Sequence, residues 1–296
     1  MRTFLRKIAR YVFRLYIFEY GRYTLLEKIF FPYLSPQIGD DTQEEVINMS
    51  EGFFLNVSPR EYLHAYFYCF GSYEKSTVQF LKKSILQNAT VVNIGANIGY
   101  MAIVLSRIVG EQGKVIAIEP ENKNFSWLQK NVDINHIQNI STIQKAISNR
   151  QGLETLYLST ENSGAHSLLI HHQITQSKTQ QISTSPFDAV ALEYNILNIS
   201  AMLIDVEGFE LEVFQGMNNI IARDRPIFIV ELNDTLLQQR NSSALELTHY
   251  ICSTFGYQQF RIQSSGVIHR ASDTINFENG VFIPKEKVAQ FSHCFA

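Results

Sequence analysis

Asp205-Val-Glu-Gly-Phe-Glu210 sets three carboxylates within six residues, and Glu231, Asn233 and Asp234 form a second polar group further along the chain. Carboxylates gathered in this way are expensive to bury unless they are paired, cap a helix or work on a ligand. The chemistry open to them is proton abstraction by a general base, a clamp on a cationic ligand, or a hard cation held by oxygen atoms. Asp205 is the first candidate base, with Glu231 and His166 behind it. A metal alternative would use Asp205, Glu231 and Asn233, with magnesium as the ion. A structural alternative is also open, in which Asp205 caps a helix whose first turn carries Glu207 and Glu210.

A second group of residues precedes these. In Val91-Val-Asn-Ile-Gly-Ala-Asn-Ile-Gly-Tyr100, Gly95 and Gly99 bracket a strand-to-helix turn. There the missing Cβ atoms would let backbone amides approach a ligand. The dinucleotide fingerprint G-x-G-x-x-G needs glycine at position 97, where this chain has Asn97. A nucleoside without a pyrophosphate is therefore favoured over a dinucleotide. Glu119 follows at the end of the next strand, where one carboxylate can accept from both ribose hydroxyls. It can also, with Pro120, open the next helix.

The elements that would position these residues alternate. Short apolar runs at 90–94, 114–119, 143–147, 153–158, 202–205, 227–231, 257–262 and 279–284 read as strands. Helical patterns separate most of them, at 78–86, 98–109, 122–136, 210–222 and 243–254. This order predicts a mostly parallel sheet with helices on both faces and a ligand crevice at the carboxyl ends of the strands. Residues 32–60 read as a turn-rich connection and 159–185 as a polar surface excursion.

With 45% apolar and 18% charged residues, the 296-residue chain can bury a core. Its 25 basic and 28 acidic groups, a net of −3, argue against a nucleic-acid partner. The charge is uneven. Residues 1–30 carry a net of +5, with Arg2, Arg6, Arg10 and Arg14 at four-residue spacing, and the remainder carries −8. That spacing predicts a basic amphipathic helix, able to meet an anionic membrane surface or to pack on its own domain. Three widely spaced cysteines suggest neither a disulfide framework nor a zinc site. Basic residues interrupt every apolar stretch of the first segment, so it does not read as a secretion signal. A cytoplasmic protein, touching the inner face of a membrane through residues 1–30, is the expectation.

Val91–Gly99, Ile116-Ala-Ile-Glu-Pro120 and Leu203-Ile-Asp-Val-Glu-Gly-Phe-Glu-Leu-Glu-Val-Phe-Gln-Gly216 together resemble the FkbM family of S-adenosylmethionine-dependent methyltransferases. Gly71-Ser-Tyr-Glu74 and Pro226–Glu231 match in order and spacing, so the likeness spans about residues 70–284. The resemblance implies a Rossmann-like class I methyltransferase fold: a mostly parallel seven-stranded sheet with its last strand antiparallel, helices on both faces, and a helical N-terminal arm. The expected organisation is an arm and connection over 1–69 and a cofactor-binding domain over 70–296. The implied activity is methylation of a hydroxyl on a small molecule, sugar or lipid-linked acceptor. Gly95, Ala96, Asn97 and Gly99 would line the methionine end of the cofactor, Glu119 its ribose, and Glu74, Asn93 and Asp205 would also bind it. Asp188 would match a structural acid of the family. Two positions depart from the family pattern, with Asn93 standing for its aspartate and Leu203 for its lysine. Two alternatives stay open: a non-catalytic binding module on the same fold, and a nicotinamide-dependent dehydrogenase.

Overall fold

The computed structural model describes residues 10–16, 21–34, 44–158, 178–271 and 278–295. Residues 10–14 are helical, and α1 (Arg22–Leu25) runs on as a π-helix over Leu26–Leu34. A hairpin of β1 (Glu45–Asn48) and β2 (Phe54–Val57) leads to α2 (Tyr62–Phe70) and α3 (Lys75–Ser84). The alternation then begins with β3 (Thr90–Ile94), α4 (Tyr100–Val109), β4 (Lys114–Ile118), α5 (Asn122–Ile134) and β5 (Ile140–Ile143). Next come β6 (Ala146–Ile147), β7 (Gly152–Leu158) and β8 (Lys178–Ser185), which form a small sheet of their own. The chain continues through α6 (Phe187–Glu193), β9 (Ile199–Ile204), α7 (Glu210–Gln215), α8 (Asn218–Asp224) and β10 (Ile227–Leu232). It closes with α9 (Asp234–Gln239), α10 (Ala244–His249), β11 (Tyr257–Ile262), β12 (Ile268–Arg270) and β13 (Glu278–Pro284).

The central sheet has the order β12-β11-β13-β10-β9-β3-β4-β5. The five strands from β10 to β5 are parallel, and β13 lies antiparallel between β10 and β11. This is the Rossmann-like arrangement expected from the sequence. Each inner strand is apolar on both sides: Val92 and Ile94 of β3 join one core, while Val91 joins the other. Parallel strands covered on both faces read as unbroken apolar runs, which is why these segments were legible.

Three details differ from expectation. The sheet has an eighth strand, β12, because Gln263-Ser-Ser-Gly266 turns the chain back along β11, with Gly266 in the left-handed region at φ +70°. The strand at 153–158 does not extend the main sheet but pairs with β8, the end of the stretch read as an excursion. Within β8, Ile182 is the one aliphatic side chain, and with Ala146 and Leu156 it forms a small separate core. Nor is 44–57 a mere connection, since β1 and β2 bury Ile47, Leu55 and Val57.

Of the expected basic stripe, Arg10 and Arg14 are described, and both turn toward the protein. The Arg10 guanidinium stands 5.3 Å over the Tyr68 ring, and Arg14 donates to the Asn48 carbonyl at 2.7 Å. Arg22 is 1% exposed and donates to the hydroxyls of Ser72 and Tyr66. Tyr11, Val12 and Leu15 face outward instead. Guanidinium groups stack on aromatic faces and satisfy carbonyls at once, so an aromatic wall draws them inward. Phe13, Leu26 and Phe30 join β1, β2, α2 and α4 in one apolar cluster. The arginines thus grip residues 66–74, the segment that delivers Tyr73 and Glu74 to the sheet edge. Arg2, Arg6 and Lys7 lie outside the described residues, as does His166. Among the described residues, no helix is long and apolar enough to cross a membrane.

Candidate functional site

Sheet register brings the chemistry-bearing residues into one row. Ile94 pairs with both Ile118 and Ile204, Ile204 pairs with Val230, and Glu231 pairs with Asn279. Gly95, Glu119, Asp205 and Glu231 therefore leave the sheet side by side at its carboxyl edge. They line one cavity of about 420 Å³, together with Glu74, Asn93 and Glu207.

The glycine turn works differently from expectation. Its amides do not face a ligand: Gly95 and Ala96 both donate to the Ile118 carbonyl, and Asn97 donates to Glu119 Oε2 at 2.8 Å. The missing Cβ at Gly95 makes room for the neighbouring strand instead, since a Cβ there would lie 1.6 Å from the Asp205 carbonyl oxygen. Gly99 is a packing glycine, with its Cβ position 2.7 Å from Leu128, and is not among the cavity-lining residues. Asn97 adopts φ +49° and so keeps a left-handed turn without glycine, as asparagine tolerates. Gly95, Ala96 and Asn97 form the floor of the cavity.

Glu119 is 5% exposed and points back into the turn, with Oε1 accepting from the Glu121 amide and Oε2 from Asn97. Its helix-starting alternative is excluded, because Glu121 caps α5 by accepting from the Asn124 amide. Asp205 caps nothing either, for α7 has no side-chain cap. Glu210 takes the structural part, accepting from the amides of Val206 and Gly208. Asp205 and Glu231 meet carboxyl to carboxyl at adjacent strand ends, an arrangement that favours a proton held on Glu231. Asn233 lines the cavity but caps α9, where its Oδ1 accepts from the Leu236 amide, so the third oxygen of the expected metal set is already hydrogen-bonded. Among the described residues, no group of three or more His, Cys, Asp or Glu side chains is arranged to hold a metal.

Glu74 adopts φ +42° and receives a hydrogen bond from Asn279 Nδ2 at 2.7 Å. The residue before it is held in place: Tyr100 donates to the Tyr73 carbonyl and accepts from the Tyr73 amide. Asn93 is 1% exposed and its Oδ1 has no hydrogen-bond partner. Its register partner on β9 is Leu203, so no cation stands beside it from that strand.

A sequence model described as the methyltransferase FkbM domain matches residues 93–261, more than half of the chain. The chain belongs to the FkbM methyltransferase family. A curated relative, Methyltransferase 1 of Beauveria bassiana, is 21% identical over 49% of this chain and 69% of its own. The methyltransferase FkbM structure from Methylobacillus flagellatus is 18% identical with a TM-score of 0.44, covering 67% of this chain and 44% of that one. This chain thus spans less than half the length of that protein. The structure of M. jannaschii TYW2 in complex with AdoMet is 12% identical over 82% of this chain and 85% of its own, with a TM-score of 0.41.

The FkbM match starts at Asn93, so Glu74 and the aromatic residues before it come from outside the matched part. Asp188 accepts from the amides of Asn219 and Ile220 and ties α6 to α8.

Burial dominates the electrostatics of this family member's cavity. It pushes the carboxyls of Glu74, Glu119 and Glu210 up to about 7 and that of Asp205 to about 6. Glu207 and Glu231 are raised well above the ordinary range, first by burial and then by the Asp205 charge. A carboxyl raised in the folded state keeps its proton where the unfolded chain has lost it. Between the ordinary carboxylate range and pH 7 the folded protein therefore binds more protons, and stability falls as pH rises. The ligand-free protein is expected to melt on the order of 5 °C higher at pH 5.5 than at pH 8. A melting midpoint that climbs over that interval would contradict this account of the cavity.

Proposed function

We propose that this chain is an S-adenosylmethionine-dependent O-methyltransferase. The observation that carries the proposal is the convergence of Glu119, Asn93 and Asp205 on one cavity whose floor is the Gly95 turn. The donor set fits that cofactor. Glu119 has spare lone pairs beyond its two amides for a ribose diol, and the unpartnered Asn93 oxygen beside Glu74 suits an ammonium group. Ile147, Leu156 and Ile182, beyond Glu119, offer apolar surface for a base.

When bound, the cofactor supplies a methyl group on a positively charged sulfur, an excellent leaving group. The protein's contribution is then position and one proton transfer. Asp205 is the base: burial raises its carboxyl less far than that of its neighbour Glu231, so of the pair it gives up its proton first and can take the acceptor hydroxyl proton. Glu231 holds Asp205 in place through the hydrogen bond between them. The acceptor is a hydroxyl of a small molecule, sugar or lipid-linked compound.

Calorimetric titration with S-adenosylmethionine tests the reading. Wild type should bind, and Glu119→Gln, which keeps the side-chain shape but has one accepting oxygen where the Asn97 and Glu121 amides and a ribose diol need two, should weaken binding by about tenfold or more. Unaltered affinity in Glu119→Gln would remove the ribose assignment. Binding of a nicotinamide cofactor instead would restore the dehydrogenase, and binding with no methyl transfer to any acceptor would leave the non-catalytic module.

A further inference from the structure

The cavity holds more acid than methyl transfer needs. One base and one ribose-binding carboxylate suffice, yet Glu74, Glu207 and Glu231 line the same space. Among the described lining residues the cation is Lys145, which pairs with Glu193 at 2.9 Å and stands over the Tyr194 ring. Glu207 sits in the left-handed region at φ +54°, a strained conformation for a glutamate.

Two side-chain oxygens that line this cavity are buried without a hydrogen-bond partner, Asn93 Oδ1 and Glu231 Oε2. The first is used by the cofactor in the reading above. The second lies on the far side of Asp205 and has no counterpart there. A buried carboxyl oxygen without a donor carries an uncompensated desolvation penalty, and a ligand that supplies the donor removes it.

The walls on this side are aromatic. Tyr62 stacks between Phe31 (5.3 Å, 10°) and Tyr23 (6.1 Å, 7°), and Tyr23, half exposed, lines the cavity with Tyr73. Aromatic faces leading to carboxylates attract a desolvated ammonium and repel an anion. We propose that the acceptor is a hydroxyl compound that also carries a protonated amine, with the ammonium group seated against Glu231 and Glu207 and entering past Tyr23 and Tyr62. This inference rests on the methyl-transfer reading and narrows its acceptor. A phosphorylated or carboxylated acceptor would meet carboxyl groups and aromatic faces on this side, with the lining cation Lys145 already paired to Glu193.

The test uses full-length protein loaded with S-adenosylhomocysteine and titrated calorimetrically with tyramine and N-acetyltyramine, which differ in the amine charge. Tyramine should bind on the order of tenfold more tightly. Its advantage should shrink in high salt, and should disappear in Glu207→Gln while S-adenosylhomocysteine affinity stays within about twofold of wild type. Equal or tighter binding of N-acetyltyramine overturns the inference, and so does an absence of tyramine binding in protein that holds S-adenosylhomocysteine. Failure to hold S-adenosylhomocysteine is a different result, because it removes the methyl-transfer reading itself.

Discussion

Asp205→Asn is expected to lower kcat by about 10³-fold, within the range for losing a positioned general base, while S-adenosylmethionine affinity changes little. Asparagine fills the same volume but cannot accept the hydroxyl proton. The same change should make the protein more stable. After burial, the like charge of Asp205 is the next cause of the raised carboxyls at Glu207, Glu231 and Glu74. Removing one charge from that group relieves repulsion with each neighbour, so the melting midpoint at pH 8 should rise by about 2–4 °C per kcal/mol relieved. Lost activity with gained stability is the signature of a group kept for chemistry rather than for folding. A purely structural Asp205 predicts the reverse, a lower midpoint and an activity loss no larger than the loss of folded protein. Methyl transfer that survives the substitution at the wild-type rate would move the base elsewhere.

The wild-type pH profile carries the same information from another direction. Activity should rise with pH as the Asp205 carboxyl ionises near 6, and the slope should vanish in Asp205→Asn. Stability runs the opposite way over that interval, because ionisation is what the buried cavity resists. The acid group is thus set against the fold and for the reaction, which explains why it can persist without a paired cation.

How much of this was legible in the sequence follows from periodicity and distance. Gly95, Glu119, Asp205 and Glu231 could be found because each stands at the end of an unbroken apolar run, and such runs mark parallel strands whose carboxyl ends form the crevice. Their roles were less legible than their positions. Whether Gly99 lines a ligand or packs on Leu128, and whether Asn233 binds or caps, depends on partners that spacing does not specify. Tyr23, Tyr62 and Asn279 were not found at all, because two short helices before the motifs and the antiparallel strand β13 carry them. The N-terminal arginines show the limit most clearly. Of the four-residue stripe, Arg10 and Arg14 are described and stand on one short helix, but the spacing did not tell which way they face, since Tyr68 is an apolar letter in the sequence and a cation-binding surface in the fold. For β8, a strand with one aliphatic side chain leaves no apolar alternation to read.

Gly95→Ala is expected to be the most damaging single substitution in the site. The new methyl carbon would stand 1.6 Å from the Asp205 carbonyl oxygen, and that atom belongs to a backbone that cannot rotate away. The Asp205 amide donates to the Ile94 carbonyl, so the β3 and β9 ends are bonded to each other where the clash occurs. Gly95 also sits at φ +82°, where alanine is strained whatever the space around it. Separating the two strand ends would break that bond and move Asp205 relative to Glu119 and Glu231. A loss above about 4 kcal/mol is the expected scale for overpacking against backbone combined with an unfavourable φ. A protein that still folds should then show cofactor binding and activity lost together, since floor and base shift as one. Gly99→Ala provides the comparison: its Cβ would meet the far end of the Leu128 side chain, which can rotate. At φ +94° it is still strained, so it should destabilise the fold while leaving more of the site's chemistry intact in the fraction that folds. If the two alanines behave alike, the close approach of β3 to β9 is not what sets the geometry of the base.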